Sequence, residues 1–172
     1  ARHDLASLNA HYSHYQAQPA TGGGLVEASE VIAAGIDFSG TLAYSLGCHS
    51  GLNVPDEDGT AFVGKDYRQD WPSAWISRSA SYIGNTATGY GDSDVVGYSE
   101  LLMKLFTDQL TYGDAVPIGQ ALARAKRAYV SSLGVGSLSL YDEKILVEST
   151  VYGLPMYRVS VPITGTPPSG VA

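Results

Sequence analysis

Cysteine is nearly missing from this sequence: among 172 residues there is one, Cys48. A disulfide framework within the chain is thereby excluded. Long apolar runs are missing as well, and none approaches the roughly 20 consecutive apolar residues that a membrane-spanning helix needs. Basic residues are scarce. Ten Lys and Arg stand against 17 Asp and Glu, a formal charge of −7, which speaks against a general nucleic-acid binder and mainly serves solubility. A disordered composition is also absent, because 44% of the residues are hydrophobic and only 16% charged, enough for one domain with a real core. No Met and no signal peptide precede Ala1, so the expectation is a processed or trimmed piece of a longer chain, lacking an upstream part of its domain.

What is present is an alternation of short apolar runs and helical patterns. Leu5–Ala10 reads as a strand running into His11-Tyr-Ser-His-Tyr15, and residues 16–24, with Pro19 and three glycines, as loop. Leu25–Ala34 has helical composition and is stopped by Gly35. Thr41–Leu46 is a buried-strand run ending at Gly47, followed at once by Cys48. Residues 53–64 form a turn-rich acidic stretch. Asp70–Arg78 fits a helix with an acidic cap and a proline in its first turn, on which Trp71 and Trp75 face a sheet. Ala80–Gly84 is a second buried run, emptying into the loop Asn85–Asp94. Val95–Leu110 is amphipathic. In Pro117–Leu133 the residues Ile118, Leu122, Ala125, Tyr129 and Leu133 recur at helical spacing before Gly134. Asp142–Thr150 reads as a short helix, Met156–Val161 as a strand, and 162–172 as a linker-like tail. Strands alternating with helices predict an α/β fold, a mostly parallel sheet with helices on both faces.

Two strand ends carry the chemistry, His11 and Cys48. The interval between them is ample for the crossover of about a dozen residues that parallel neighbours require, so both side chains can meet at one sheet edge. A thiolate that attacks a carbonyl needs a proton donor for the leaving amine, and imidazole has a suitable pKa. An N–H after a tight strand-end turn can serve as oxyanion donor. Other readings stand beside this one. Cys48 is equally a small buried hydrophobe. His11, His14, Cys48 and His49 include good zinc ligands but lack finger spacing, and Asp56, Glu57 and Asp58 lack the regular spacing of a calcium loop.

Four motifs in order carry a resemblance: Ser-Leu-Asn-Ala-His11, Leu-Gly-Cys48-His-Ser-Gly51, Tyr-Ile-Gly-Asn-Thr86 and Val151-Tyr-Gly-Leu-Pro-Met-Tyr-Arg158. Across residues 5–160 they resemble the catalytic core of the gingipain-like cysteine peptidases, within the caspase-fold clan. Two departures are Leu154, where that family usually has aspartate, and Tyr12, where glycine normally follows the histidine. The resemblance implies a caspase-like three-layer α/β sandwich over residues 1–161 that hydrolyses peptide bonds through a Cys–His dyad. Cys48 matches the nucleophile and His11 the general acid, with His14 in reserve. The backbone amides of Cys48 and Tyr12 would hold the oxyanion. No cofactor and no metal are implied.

Members of the clan build the pocket for the residue before the cut in the loop after the third strand, which here supplies Asn85, Asp92 and Asp94. A carboxylate there would pair with a substrate Arg or Lys. Capping of the following helix accounts for Asp92 and Asp94 unaided. The expected partner is a polypeptide substrate, with the chain as part of a longer protein or processed assembly, bacterial and extracellular or envelope-associated, as twenty glycines and twelve tyrosines also allow. The alternative is a catalytically silent caspase-like module used for binding or assembly.

Overall fold

The structure, a computed structural model, describes residues 4–19, 21–54, 69–111, 115–134 and 136–159. Asp56, Glu57 and Asp58 and the tail 162–172 lie outside them. The chain divides into two compact units, Ala1–Gly89 with Val147–Gly153, and Tyr90–Leu146 with Leu154–Ala172. In chain order the first unit carries β1 (Leu5–Ser7), β2 (His11–Tyr12), β3 (Gln16–Gln18), β4 (Val26–Glu27), α1 (Ala28–Ala33), β5 (Leu42–Tyr44), α2 (Trp71–Ser77) and β6 (Ser81–Asn85). The second carries α3 (Tyr98–Thr111), α4 (Ile118–Leu133) and most of α5 (Leu140–Glu148), whose last two residues, Val147 and Glu148, already belong to the first and lead straight into its β7 (Ser149–Tyr152).

The fold is α/β with a mostly parallel four-stranded sheet in the order β1-β5-β6-β7. Leu5 pairs with Leu42 and Leu42 with Ser81 in parallel, whereas β7 runs antiparallel to β6, Ile83 opposite Val151. The central strands β5 and β6 are buried along their whole length, as apolar runs without alternation predict. Ala6, Ala43, Tyr82 and Tyr152 share one face through this register. Against that face pack Ala28 of α1 and Trp71, Ala74 and Trp75 of α2, with the Trp75 ring stacked on Tyr82 at 6.2 Å. The two tryptophans thus lie where their four-residue spacing places them.

Helix α2 begins and ends as the sequence predicts: Asp70 caps it by accepting from Ser73 N at 2.7 Å, and Pro72 sits in its first turn. Helix α1 is shorter than expected because Val26 and Glu27 join β3, and a Glu27–Glu30 capping box starts the helix only at Ala28. The stretch 16–24 is not all loop. Ser13 N donates to Gln16 O at 2.9 Å and Gln16 N to Ser13 Oγ at 3.1 Å, closing a turn that folds β2, β3 and β4 into a small antiparallel sheet.

In the second unit α4 buries Ile118, Ala121, Leu122, Ala125 and Tyr129 along one face and ends at Gly134, which has φ +81°. Helix α3 starts at Tyr98 rather than Val95, because Asp92 Oδ1 accepts from Asp94 N at 2.8 Å and makes a separate turn. Helix α5 starts at Leu140, and the strand expected at Met156–Val161 is reduced, among the described residues, to a bridge between Arg158 and Pro117. The helix expected to reach Thr150 stops at Glu148, since Ser149–Tyr152 is taken up by pairing with β6.

Candidate functional site

The carboxyl ends of β1, β5 and β6 lie at one end of the sheet, and the loops beyond them are stitched together. Pairing continues past β1 and β5 through Leu8 N to Tyr44 O (2.9 Å) and Ser45 N to Ile83 O (3.0 Å). The loop 45–54 then turns sharply around Cys48. His49 adopts φ +57°, a left-handed conformation that costs a residue with a Cβ, and over-determined surroundings hold it there. Those surroundings are His49 N to Ala87 O (2.7 Å), Gly51 N to Asn85 O (2.8 Å) and Leu52 N to His49 O (3.0 Å).

Asn85 is the hub beneath this loop. Its Nδ2 donates to Leu46 O at 2.9 Å, its N–H to Ser50 Oγ at 3.2 Å, and its Oδ1 accepts from Ser149 Oγ at 3.0 Å. Its side chain is fully buried. The sequence singled Asn85 out as a substrate contact; its geometry makes it the internal support of the Cys48 loop instead. Tyr152 adds a further tie by donating its hydroxyl to Gly51 O. Both glycines at the crossing, Gly51 and Gly84, are there because the backbones meet with no room for a Cβ.

Within this frame the Cys48 amide stands out. Gly47 N donates to Ser45 Oγ (3.1 Å), Ser50 N to Gly47 O (3.3 Å), and His49 N and Gly51 N to the β6 loop, whereas the Cys48 N–H has no hydrogen-bond partner among the described residues. The thiol is half-buried and donates to Gly89 O at 3.6 Å. Gly89 is itself pressed against the Leu46 carbonyl, where a side chain would collide.

The histidine segment lies against the same loop. Tyr12 covers Gly47, where an added Cβ would stand 2.8 Å from Tyr12 Cγ, and its ring meets Trp71 edge-on at 5.3 Å. Burial pushes the Tyr12 phenol up, and a hydrogen bond with Ser45 partly offsets that. The side chain that follows His11 is therefore anchored inward. Because Ser13 N bonds Gln16 O, the pair Tyr12–Ala17 is of the non-hydrogen-bonded antiparallel kind, and the Tyr12 N–H points away from β3.

His11, next to Tyr12 on β2 and on its opposite face, is exposed and sits across from Gln18. His14 is half-buried, with its ring edge-on to Tyr15 at 4.8 Å. Burial pulls its pKa down, the nearby Asp70 carboxylate opposes this, and His49 adds to it. His14 is thus tied electrostatically to the residue after Cys48. Neither histidine hydrogen-bonds the Cys48 thiol among the described residues. Asp92 and Asp94 are exposed on the second unit, Asp92 engaged in its turn with Asp94 N and Val95 N. No group of three or more His, Cys, Asp or Glu gathers as a metal site among the described residues. No described helix is long and apolar enough to cross a membrane.

Two features of this site escaped sequence reading: the Asn85 hub and Asp70 beside His14. The signal for Asp70 was its capping position, which names a helix start and not its neighbours. Comparison of the chain with protein-family models, with curated proteins and with solved structures finds no match.

Proposed function

We propose that this chain is the core of a cysteine endopeptidase of the caspase-fold kind, resembling the gingipain-like family. The observation that carries the proposal is the Cys48 N–H, which among the described residues has no partner while the amides of residues 47, 49, 50 and 51 are all engaged. With the Tyr12 N–H turned away from β3, it offers a second donor for an oxyanion beside the sulfur. Parallel β1 and β5 as sheet neighbours, with the histidine segment packed on the Cys48 loop, are what a Cys–His dyad on such a sheet requires.

In this reading the Cys48 thiolate attacks the scissile carbonyl carbon and the carbonyl electrons move to oxygen, held by the two amides. Collapse of that adduct expels the amine, which takes its proton from imidazole and leaves a thioester on Cys48. Water then attacks the thioester, gives one proton to imidazole, and releases the acid and the Cys48 thiolate, which restores the starting thiolate and protonated imidazole. The resemblance assigns the imidazole to His11 with His14 in reserve, and His14 stands close enough to His49 for their charges to interact. Catalytic hydrogen bonds commonly tighten only once substrate is bound, so the thiol's bond to Gly89 O is compatible with either. The resemblance alone assigns a preference for Arg or Lys before the cut to the loop that carries Asp92 and Asp94, a preference read by comparing Arg-, Lys- and neutral-ending reporters.

The deciding experiment is covalent labelling of Cys48 by peptidyl acyloxymethyl ketones in the wild type, His11→Ala and His14→Ala. Labelling lost in one histidine variant supports the dyad and identifies its acid. A folded wild type that no probe labels supports the second reading, a silent module for binding or assembly, which the engaged thiol and exposed His11 favour.

A further inference from the structure

We propose that Asp70 and Trp71, adjacent at the start of α2, form a positioning pair that sets the histidine segment against the Cys48 loop; its catalytic meaning rests on the peptidase reading above. Trp71 holds the histidine side. Its backbone N–H donates to His14 O at 3.0 Å, its indole Nε1–H to Ser13 O at 3.1 Å, and its ring carries Tyr12. Three consecutive residues, Tyr12, Ser13 and His14, are thus fixed by one side chain and its own amide.

Asp70 holds the cysteine side. Its Oδ2 accepts from Asn53 Nδ2 at 2.8 Å and from Val54 N at 3.0 Å, the residues through which the Cys48 loop leaves the site. Its Oδ1 is occupied by Ser73 N, so the carboxylate is saturated with donors and locked to the helix. It is buried, 2% exposed, where such bonds are strong and geometrically strict. One dipeptide therefore touches both loops on which a dyad would depend. A displacement of about 1 Å between reacting groups can cost on the order of a hundredfold in rate, which is the reason a rigid link matters here. The carboxylate has a second effect: its charge favours the protonated His14 imidazole, against burial and against His49.

The test uses the full chain, with Asp70→Asn and Asn53→Ala, thermal melting to verify folding, and two readouts. Asn at position 70 keeps the oxygen that caps Ser73 but loses the charge and presents a donor to Asn53 and Val54. Asn53 is exposed, so its truncation removes its two bonds, to Asp70 Oδ2 and Ser73 Oγ, while the Val54 N bond to Asp70 stays. By NMR titration of the imidazole protons, the His14 midpoint should fall in Asp70→Asn, because the charge that raises it is removed. With the acyloxymethyl ketone probe, both variants should slow the saturated labelling step by about tenfold or more, with the half-saturating concentration unchanged. An unmoved His14 midpoint in folded Asp70→Asn overturns the proposal, as does unaltered saturated labelling in Asn53→Ala beside a reactive wild type. If the wild type takes no probe, the peptidase reading falls, and the midpoint decides the positioning pair by itself.

Discussion

Gly51 and Gly84 meet backbone to backbone: a Cβ on Gly51 would stand 2.5 Å from the Gly84 carbonyl, and one on Gly84 2.6 Å from Gly51 N. The Cys48 loop is thus pressed directly onto β6, and the obstacle on each side is main chain, which cannot rotate away as a side chain does. Gly51→Ala or Gly84→Ala should destabilise the protein by about 1–3 kcal/mol. Gly24→Ala, with open space around it, is the control and should change stability by less than about 0.5 kcal/mol. Thermal unfolding measures both, and equal effects at Gly24 and Gly51 would contradict the close approach.

Asn85 supports the loop from below, and its removal orphans buried partners. Asn85→Ala leaves the Leu46 carbonyl and the Ser149 hydroxyl without the bonds it supplied, at a cost of about 2–3 kcal/mol. Ser149→Ala removes only one of those links and should cost less. Because the two share one network, the double variant should be less destabilised than the sum of the singles. Denaturant titration of the four proteins tests this.

Much of the first unit was readable from the sequence because its signals are local. Asp70 with Pro72 gives the start of α2, Gly47 gives the end of the Cys48 strand, and Trp71 and Trp75 share a face by spacing alone. The α4 face follows for the same reason. What could not be read depends on partners distant in the chain. Gln16–Gln18 has no apolar alternation and becomes a strand only through the turn at Ser13 and pairing with Val26 and Glu27. Ser149 and Thr150 read as the tail of a helix until β6 claims Ser149–Tyr152. The site shows the same division. The thiol at a strand end is a sequence feature, but the closeness of Asp70 to His14 exists only once both loops are folded.

Tyr12 and Gly47 form a testable pair. Gly47→Ala drives a methyl into the Tyr12 ring and should destabilise by about 1–3 kcal/mol. Tyr12→Ala removes the obstructing ring at a cost of about 3 kcal/mol, part of it the lost edge-on contact with Trp71. With the ring gone, only the retained Cβ of residue 12, 2.9 Å away, still crowds the added methyl, so the double variant should lose less stability than the two single losses summed. Strict additivity would show that the ring does not cover Gly47.

Asp142 predicts acid sensitivity in the second unit. Burial pushes its carboxyl up, but donors from the Ser139 hydroxyl, the Tyr129 hydroxyl (2.5 Å) and Ser139 N (2.7 Å) outweigh this and hold it below the usual aspartate range. A depressed carboxyl stabilises the fold above its ordinary midpoint of about 4, and that contribution disappears as the pH drops through the lower folded midpoint. Asp142→Asn should therefore lower the melting temperature at pH 6 and narrow its gap from wild type towards pH 2.5. A gap constant across that range would argue against the depressed carboxyl.

His14 gives the opposite kind of group and a different window. Its pKa is lowered by burial, so the folded protein releases a proton that the unfolded chain keeps. Between the ordinary imidazole value of about 6.5 and the lower folded midpoint, the unfolded state binds more protons, and acidification favours unfolding there. Stability from this source is complete above about pH 6.5 and declines as the pH falls towards the folded midpoint. His14→Gln should flatten the melting-temperature profile in that interval. Asp70→Asn should steepen it, because the charge that partly restores His14 protonation is gone and the folded midpoint moves further down. Melting curves at half-unit steps from about pH 7.5 to 5 distinguish the two. Parallel profiles for wild type and both variants would mean that Asp70 and His14 do not share a field, and with it the electrostatic half of the link between α2 and the Cys48 loop would be lost.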